Sequence, residues 1–157
     1  MRKYKIEIKW ALIFIVASLI WMGIENVVGL HTVHIDKHMY YTNLFGIVAI
    51  IVYTLAMIDK RRNFYNGRMT WKQGFISGLI ITLIVACVSP LSQLIVHRII
   101  APSYFENAIE YGVSLGKDPE TLASYFNLWS YILQSLFGTL SLGIVTSAVV
   151  ALFVKKS

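Results

Sequence analysis

Cysteine is almost absent from this chain of 157 residues: Cys87 stands alone. No internal disulfide can therefore staple the fold, and no paired-thiol metal or redox motif exists. Proline is scarce too, at 3 residues, which leaves long stretches free of helix breakers. Charge is thin: 14% of residues are charged and 57% hydrophobic, whereas an ordinary soluble domain carries roughly a quarter charged residues. The deficit is also localised. Residues 10–24 (WALIFIVASLIWMGI), 44–58 (LFGIVAIIVYTLAMI), 74–88 (GFISGLIITLIVACV) and 136–154 (LFGTLSLGIVTSAVVALFV) contain no charge at all. A soluble globule is excluded.

What is present are four segments that, with their polar-tolerant ends, reach or approach the roughly 20 residues a helix needs to cross a bilayer. Backbone groups in lipid must pair internally, so the segments read as helices rather than strands. The expectation is one all-α integral membrane domain over residues 1–157, a four-transmembrane-helix bundle with spans near 10–30, 42–59, 73–97 and 127–154. The start, MRKYKIEIK before an apolar run, imitates a signal peptide. The run is too long for an h-region, however, and no small-x-small site closes it, so a retained first span is expected. Cys87, inside the third span, is expected to act as a small buried apolar residue.

The net charge of +6 is a topology signal. Arg2, Lys3, Lys5 and Lys9 precede span one, and Lys60, Arg61, Arg62, Arg68 and Lys72 follow span two. With Lys155 and Lys156 this puts 11 of the 14 cations on one side, against Lys37, Arg98 and Lys117 on the other. The positive-inside rule then makes both termini and the DKRRNFYNGRMTWK loop cytoplasmic. Anionic lipid headgroups are the expected partner of that loop, and nucleic acid is not expected. Asn66–Gly67 marks a tight turn within it. Trp10 and Trp71 fall at the inner headgroup belt, Tyr40, Tyr41 and Trp129 at the outer one.

The second outer connection, about residues 98–127, reads as structured. Ser103 with Glu106 forms a capping box opening a helix that stops near Gly112 to Gly116. Asp118 is the next N-cap, with Pro119 at the first helical position. Helical character would then run on, with a bend near Asn127. Gly74 with Gly78, and Thr139 with Gly143 and Ser147, are small-residue series that let helices approach closely. They serve either as internal seams or as a homo-oligomer interface.

At IEIKWALIF, GLHTVHIDKHMYYTNLFGI and above all DKRRNFYNGRMTWKQGFISGLIITLIV, the chain resembles the bacterial domain-of-unknown-function family numbered forty-one ninety-nine. The resemblance covers nearly the whole chain, including SPLSQ and YFENAIEY. It implies a four-span, multi-pass protein of the bacterial inner membrane. It carries no activity and assigns no catalytic residue.

Polar residues within the spans gather in the outer half. Glu25 and Asn26 end span one, Asn43 opens span two, Gln93 and His97 close span three, and Gln134 opens span four. These six are the candidate ligand-binding residues of an outer vestibule, below which Pro90 would free the carbonyl of Ala86 and kink span three. Glu25 is taken as the only acid well inside a span, facing Asn26, Gln93, His97 and Gln134. The stretch LHTVHIDKHMYY holds His31, His34 and His38, a set that could hold zinc. His34 and His38, four apart, are the best pair, although an outer loop of about a dozen residues bearing Lys37 also reads as ordinary solvated surface. No phosphate-cradling loop, triad order or Cys–His pattern occurs, so no cofactor is required. The favoured function is non-enzymatic: a partner subunit of another membrane protein, or a helical bundle that binds a small solute. The alternative is a metal-dependent enzyme at the periplasmic face, using the histidines with Glu25.

Overall fold

The computed structural model describes residues 4–156, so Arg2 and Lys3, counted in the charge argument, lie outside the described residues. Among the described residues seven α-helices follow one another: α1 (Lys5–Val27), α2 (Ile35–Thr42), α3 (Phe45–Asn63), α4 (Trp71–Ile95), α5 (Tyr104–Ser114), α6 (Pro119–Tyr125) and α7 (Leu128–Val154). A π-helical turn, Val96–Ile100, extends α4. Among the described residues there is no strand, only an isolated bridge between Met69 and Lys156. Among the described residues, four helical segments are long and apolar enough to cross a membrane: Lys5–Val27, Ile35–Asn63, Trp71–Ile100 and Leu128–Val154.

The outward faces carry Leu12, Val16 and Ile20 on α1, Ile47 and Ile51 on α3, Leu83 and Leu91 on α4, and Leu142, Val145 and Phe153 on α7, all exposed. Exposed apolar surface on this scale belongs in lipid. Cys87 lies on this surface as well. That corrects the expectation of a buried thiol: the apolar environment is the lipid face of α4, not its packed face.

Helices α4 and α7 pack most closely because of small residues. A Cβ on Gly78 would stand 2.4 Å from the Ser147 hydroxyl, and one on Gly143 2.4 Å from Thr82 Cγ2. The two small-residue series therefore face each other inside one chain, which is the internal-seam reading. Tyr53 joins the seam through a 2.8 Å hydrogen bond with Thr82.

The basic end is tied by polar contacts. Thr70 and Gln73 form a capping box at the start of α4. The Arg61 guanidinium donates to the carbonyl of Val154 at 2.6 Å and the Trp71 indole to that of Ala148 at 3.0 Å. Asp59 accepts from Lys9, and from the Trp10 indole at 2.7 Å. Deeper in, Glu7 is 1% exposed and Lys60 3%. Lys60 Nζ lies 2.9 Å from a Glu7 oxygen that also accepts from Ser77 Oγ at 2.9 Å. Glu25 is thus not the only acid enclosed by the spans, and Lys60 is not a free loop charge. Helix α1 begins five residues before the uncharged run, which carries Glu7 into the bundle where a cation from α3 neutralises it.

At the opposite end, residues 30–41 are not simply a wet loop, since α2 takes up Ile35–Thr42. Ser103 precedes α5 but makes no side-chain cap, so the expected capping box there does not form. Asp118 does cap α6, accepting from the Thr121 backbone N–H at 2.8 Å, with Pro119 in the first turn. These hydrogen bonds hold the Asp118 carboxyl below its usual range. The helix is interrupted at Phe126 and Asn127, and the Asn127 side chain caps α7. Pro90 stays inside α4, and the carbonyl of Ala86 that it would orphan accepts from the Ser89 hydroxyl at 2.9 Å.

Candidate functional site

The histidine end is built from the way α1 stops. Gly29 adopts φ +81°, the left-handed conformation that glycine takes without a Cβ penalty. Gly29 N–H then bonds the Asn26 carbonyl at 3.1 Å and Leu30 N–H the Glu25 carbonyl at 2.9 Å. This is a Schellman C-cap with the apolar Leu30 tucked in behind it. It folds the next residue, His31, back over the last turn of α1, where Glu25 projects. The Asn107 amide fixes this turn from α5 by donating to the His31 carbonyl at 2.9 Å.

Glu25 and His31 are each 2% exposed. One carboxylate oxygen, Oε1, accepts from the Trp21 indole at 2.8 Å. The other, Oε2, lies 3.5 Å from His31 Nε2 and 3.6 Å from His38 Nε2. Those separations are ion-pair range but too long for good hydrogen bonds. Among the described residues, Glu25 Oε2, both ring nitrogens of His31, His38 Nε2 and His97 Nδ1 are buried without a hydrogen-bond partner. Five such atoms within one small region run against the rule that buried polar atoms are satisfied.

Tyr104, the first residue of α5, is the hub above them. Its ring centroid lies 5.2 Å from those of His31 and His38 and 5.6 Å from that of His97. Its hydroxyl sits 3.4 Å from His38 Nδ1 and 2.9 Å from the Tyr131 hydroxyl. Burial pushes the Tyr104 phenol up, so it stays protonated and shares its hydroxyl between His38 and Tyr131. His97, set in the π-turn, pairs with Gln93 at 3.1 Å and stacks on Phe105 with centroids 4.1 Å apart.

Below this cap lies a cavity of about 500 Å³ bounded by α1, α3, α4 and α7 and by the end of α2. Its walls are mostly apolar, with Ser18, Asn43, Ser89, Ser92 and Gln93 among the polar groups and no charged residue in its lining. Trp21 and Gln93 line it while bonding Glu25 and His97 respectively, which connects the cavity wall to the cap.

Residues 9–156 match the model of the family described as Protein of unknown function (DUF4199). The chain belongs to that family. No curated protein and no solved structure matches it.

In this DUF4199 chain the polar residues singled out from sequence separate into three groups. Glu25, His31 and His38 come together, with His97 beside Tyr104. Asn43 and Gln93 line the cavity. His34 and Gln134 are exposed, and Asn26 is half-buried. The partners expected for Glu25 (Asn26, Gln93, His97 and Gln134) are replaced by Trp21, His31 and His38. The reason is the Schellman turn, which supplies partners from the next few residues before another span can. Trp21, Tyr104 and Tyr131 were missed as site residues. Trp21 stands one helical turn before Glu25 on the same face, a spacing that was available; the two tyrosines had no local signal.

Proposed function

We propose that this protein is a non-enzymatic integral membrane bundle of the bacterial inner membrane that binds a small solute in the half of its core nearest the histidines. The observation that carries this reading is the cavity. Its 500 Å³ falls within the roughly 300–1,000 Å³ of small-ligand sites, and apolar walls with a few hydrogen-bonding groups are the usual lining of such sites. The absence of charge from that lining favours an uncharged, largely apolar molecule bearing one or two polar groups.

The test is to fill the space. Gly46 and Gly138 line the cavity, and a Cβ on either would meet nothing within 4 Å. Glycine is also a poor helix former, so replacing it removes a backbone penalty of up to about 1 kcal/mol per site. A Gly46→Leu/Gly138→Leu variant is therefore expected to fold at least as stably as the wild type. It should bind an apolar, environment-sensitive fluorophore at least about tenfold more weakly, since more than 1.4 kcal/mol of contact is lost. Equal saturable binding by the two proteins would refute the cavity as the site.

The charge distribution supports a cytoplasmic basic end and a periplasmic histidine end. Reporter fusions after Asn66 should read as cytoplasmic and fusions near Lys117 as periplasmic. A periplasmic signal at Asn66 would invert the layout.

A further inference from the structure

We infer that Glu25, His31 and His38 form a binding site for a divalent transition-metal ion of the zinc type, closed over by Tyr104. The site is separate from the solute cavity, whose lining contains none of the three.

Three observations converge on it. The first is donor chemistry: two imidazoles and one carboxylate are a ligand set that zinc and related late metals take, with a fourth position left for water or another ligand. The second is geometry. One ligand atom from each residue lies within 4.8 Å of the other two. Donors about 2.0–2.1 Å from a tetrahedral zinc stand about 3.3–3.4 Å apart. The two Glu25-to-histidine separations, 3.5 and 3.6 Å, are already close to that edge length. The third edge, between the two imidazoles, is no longer than 4.8 Å, and the rings close it by moving toward each other as they bind the ion.

The third is the unmet demand. Glu25 Oε2, His31 Nε2 and His38 Nε2 are buried without a hydrogen bond although the two imidazole nitrogens lie 3.5 and 3.6 Å from the carboxylate oxygen. Direct hydrogen bonding would be expected to draw these atoms together. Instead they are held at the separation of ligands around a common centre. An ion there satisfies all three atoms at once, and it leaves the Nδ1–H of His38 free to donate to the Tyr104 hydroxyl.

The surroundings of His38 and Glu25 fit a ligating role. An imidazole that binds metal through one nitrogen commonly donates its other N–H to an oxygen, which fixes ring orientation and basicity. The Tyr104 hydroxyl, 3.4 Å from His38 Nδ1 and itself bonded to Tyr131, is placed to accept it. The Trp21 indole likewise holds the second carboxylate oxygen, so Glu25 presents a single oxygen to the centre. His34, three residues from His31, is exposed and takes no part.

The test uses the full chain, purified in detergent through a tag free of histidine, stripped with chelator and titrated with zinc and then cobalt. Wild type and His34→Gln should bind one equivalent of zinc and give the visible absorption of low-symmetry cobalt. His38→Gln and Glu25→Gln should bind at least about 100-fold more weakly and lose the cobalt spectrum. Tyr104→Phe, which removes only the supporting hydroxyl, should weaken binding by about 10-fold. Circular dichroism and size-exclusion profiles establish that each variant is folded. His38 is partly exposed and Glu25→Gln is isosteric, so at least one folded variant is expected even if His31 proves intolerant. Absence of stoichiometric zinc binding by the wild type overturns the inference. So does undiminished binding by folded His38→Gln or Glu25→Gln protein.

Discussion

Lys60→Met is expected to lower the melting temperature in detergent sharply. Glu7 and Lys60 are almost wholly enclosed, 2.9 Å apart, with Ser77 as a further donor to the carboxylate. Removing the ammonium leaves a buried carboxylate without its counter-charge, a change that costs roughly 3–5 kcal/mol in comparable sites. Much of that loss belongs to the uncompensated charge rather than to the pair itself. A Glu7→Gln/Lys60→Met double variant should therefore recover most of the lost stability, because the neutral amide can still accept from Ser77. A single variant that melts with the wild type would mean that water or lipid headgroups solvate Glu7. A double variant no better than the single one would assign the loss to the other contacts of the lysine, whose ammonium also lies 3.8 Å from the centre of the Phe64 ring.

The second large effect is expected at the other end. Glu25→Leu removes the acceptor of the Trp21 indole and the anion facing two imidazoles. Each buried donor left unsatisfied costs about 1–3 kcal/mol, so the metal-stripped variant should melt well below the wild type. Glu25→Gln keeps an oxygen for the indole and an amide N–H₂ that can donate to an unprotonated ring nitrogen. It should melt close to the metal-stripped wild type. Equal melting of Leu and Gln variants would contradict this, since the amide retains the polar atoms that leucine lacks.

The spans were legible because membrane helices are signalled by length and missing charge, and both quantities can be read along the chain without tertiary knowledge. Helix starts with a local chemical signature were legible as well, as at Asp118–Pro119. Glu7 was not legible. Among lysines near the start of the chain it looks like an interfacial charge, and its neutralising partner lies 53 positions away on another helix. The histidine site stands between these cases. Spacing alone favours His34 with His38, four apart on one helix face. The outcome depends instead on Gly29: a left-handed residue followed by the apolar Leu30 turns the chain back and delivers His31 to Glu25. A glycine followed by an apolar residue names such a C-cap but not the side chain it turns toward Glu25. Its tyrosine cover, from α5 and α7, required the fold.

The bundle as a ligand-binding membrane protein is tested most directly by native mass spectrometry of the protein released from membranes in mild detergent. The wild type should carry a small-molecule adduct at one per chain that an added apolar competitor displaces, and Gly46→Leu/Gly138→Leu should lack it. The same displaceable adduct on both proteins, or none on the wild type even after incubation with the fluorophore that reports binding, would contradict a solute site between the four spans.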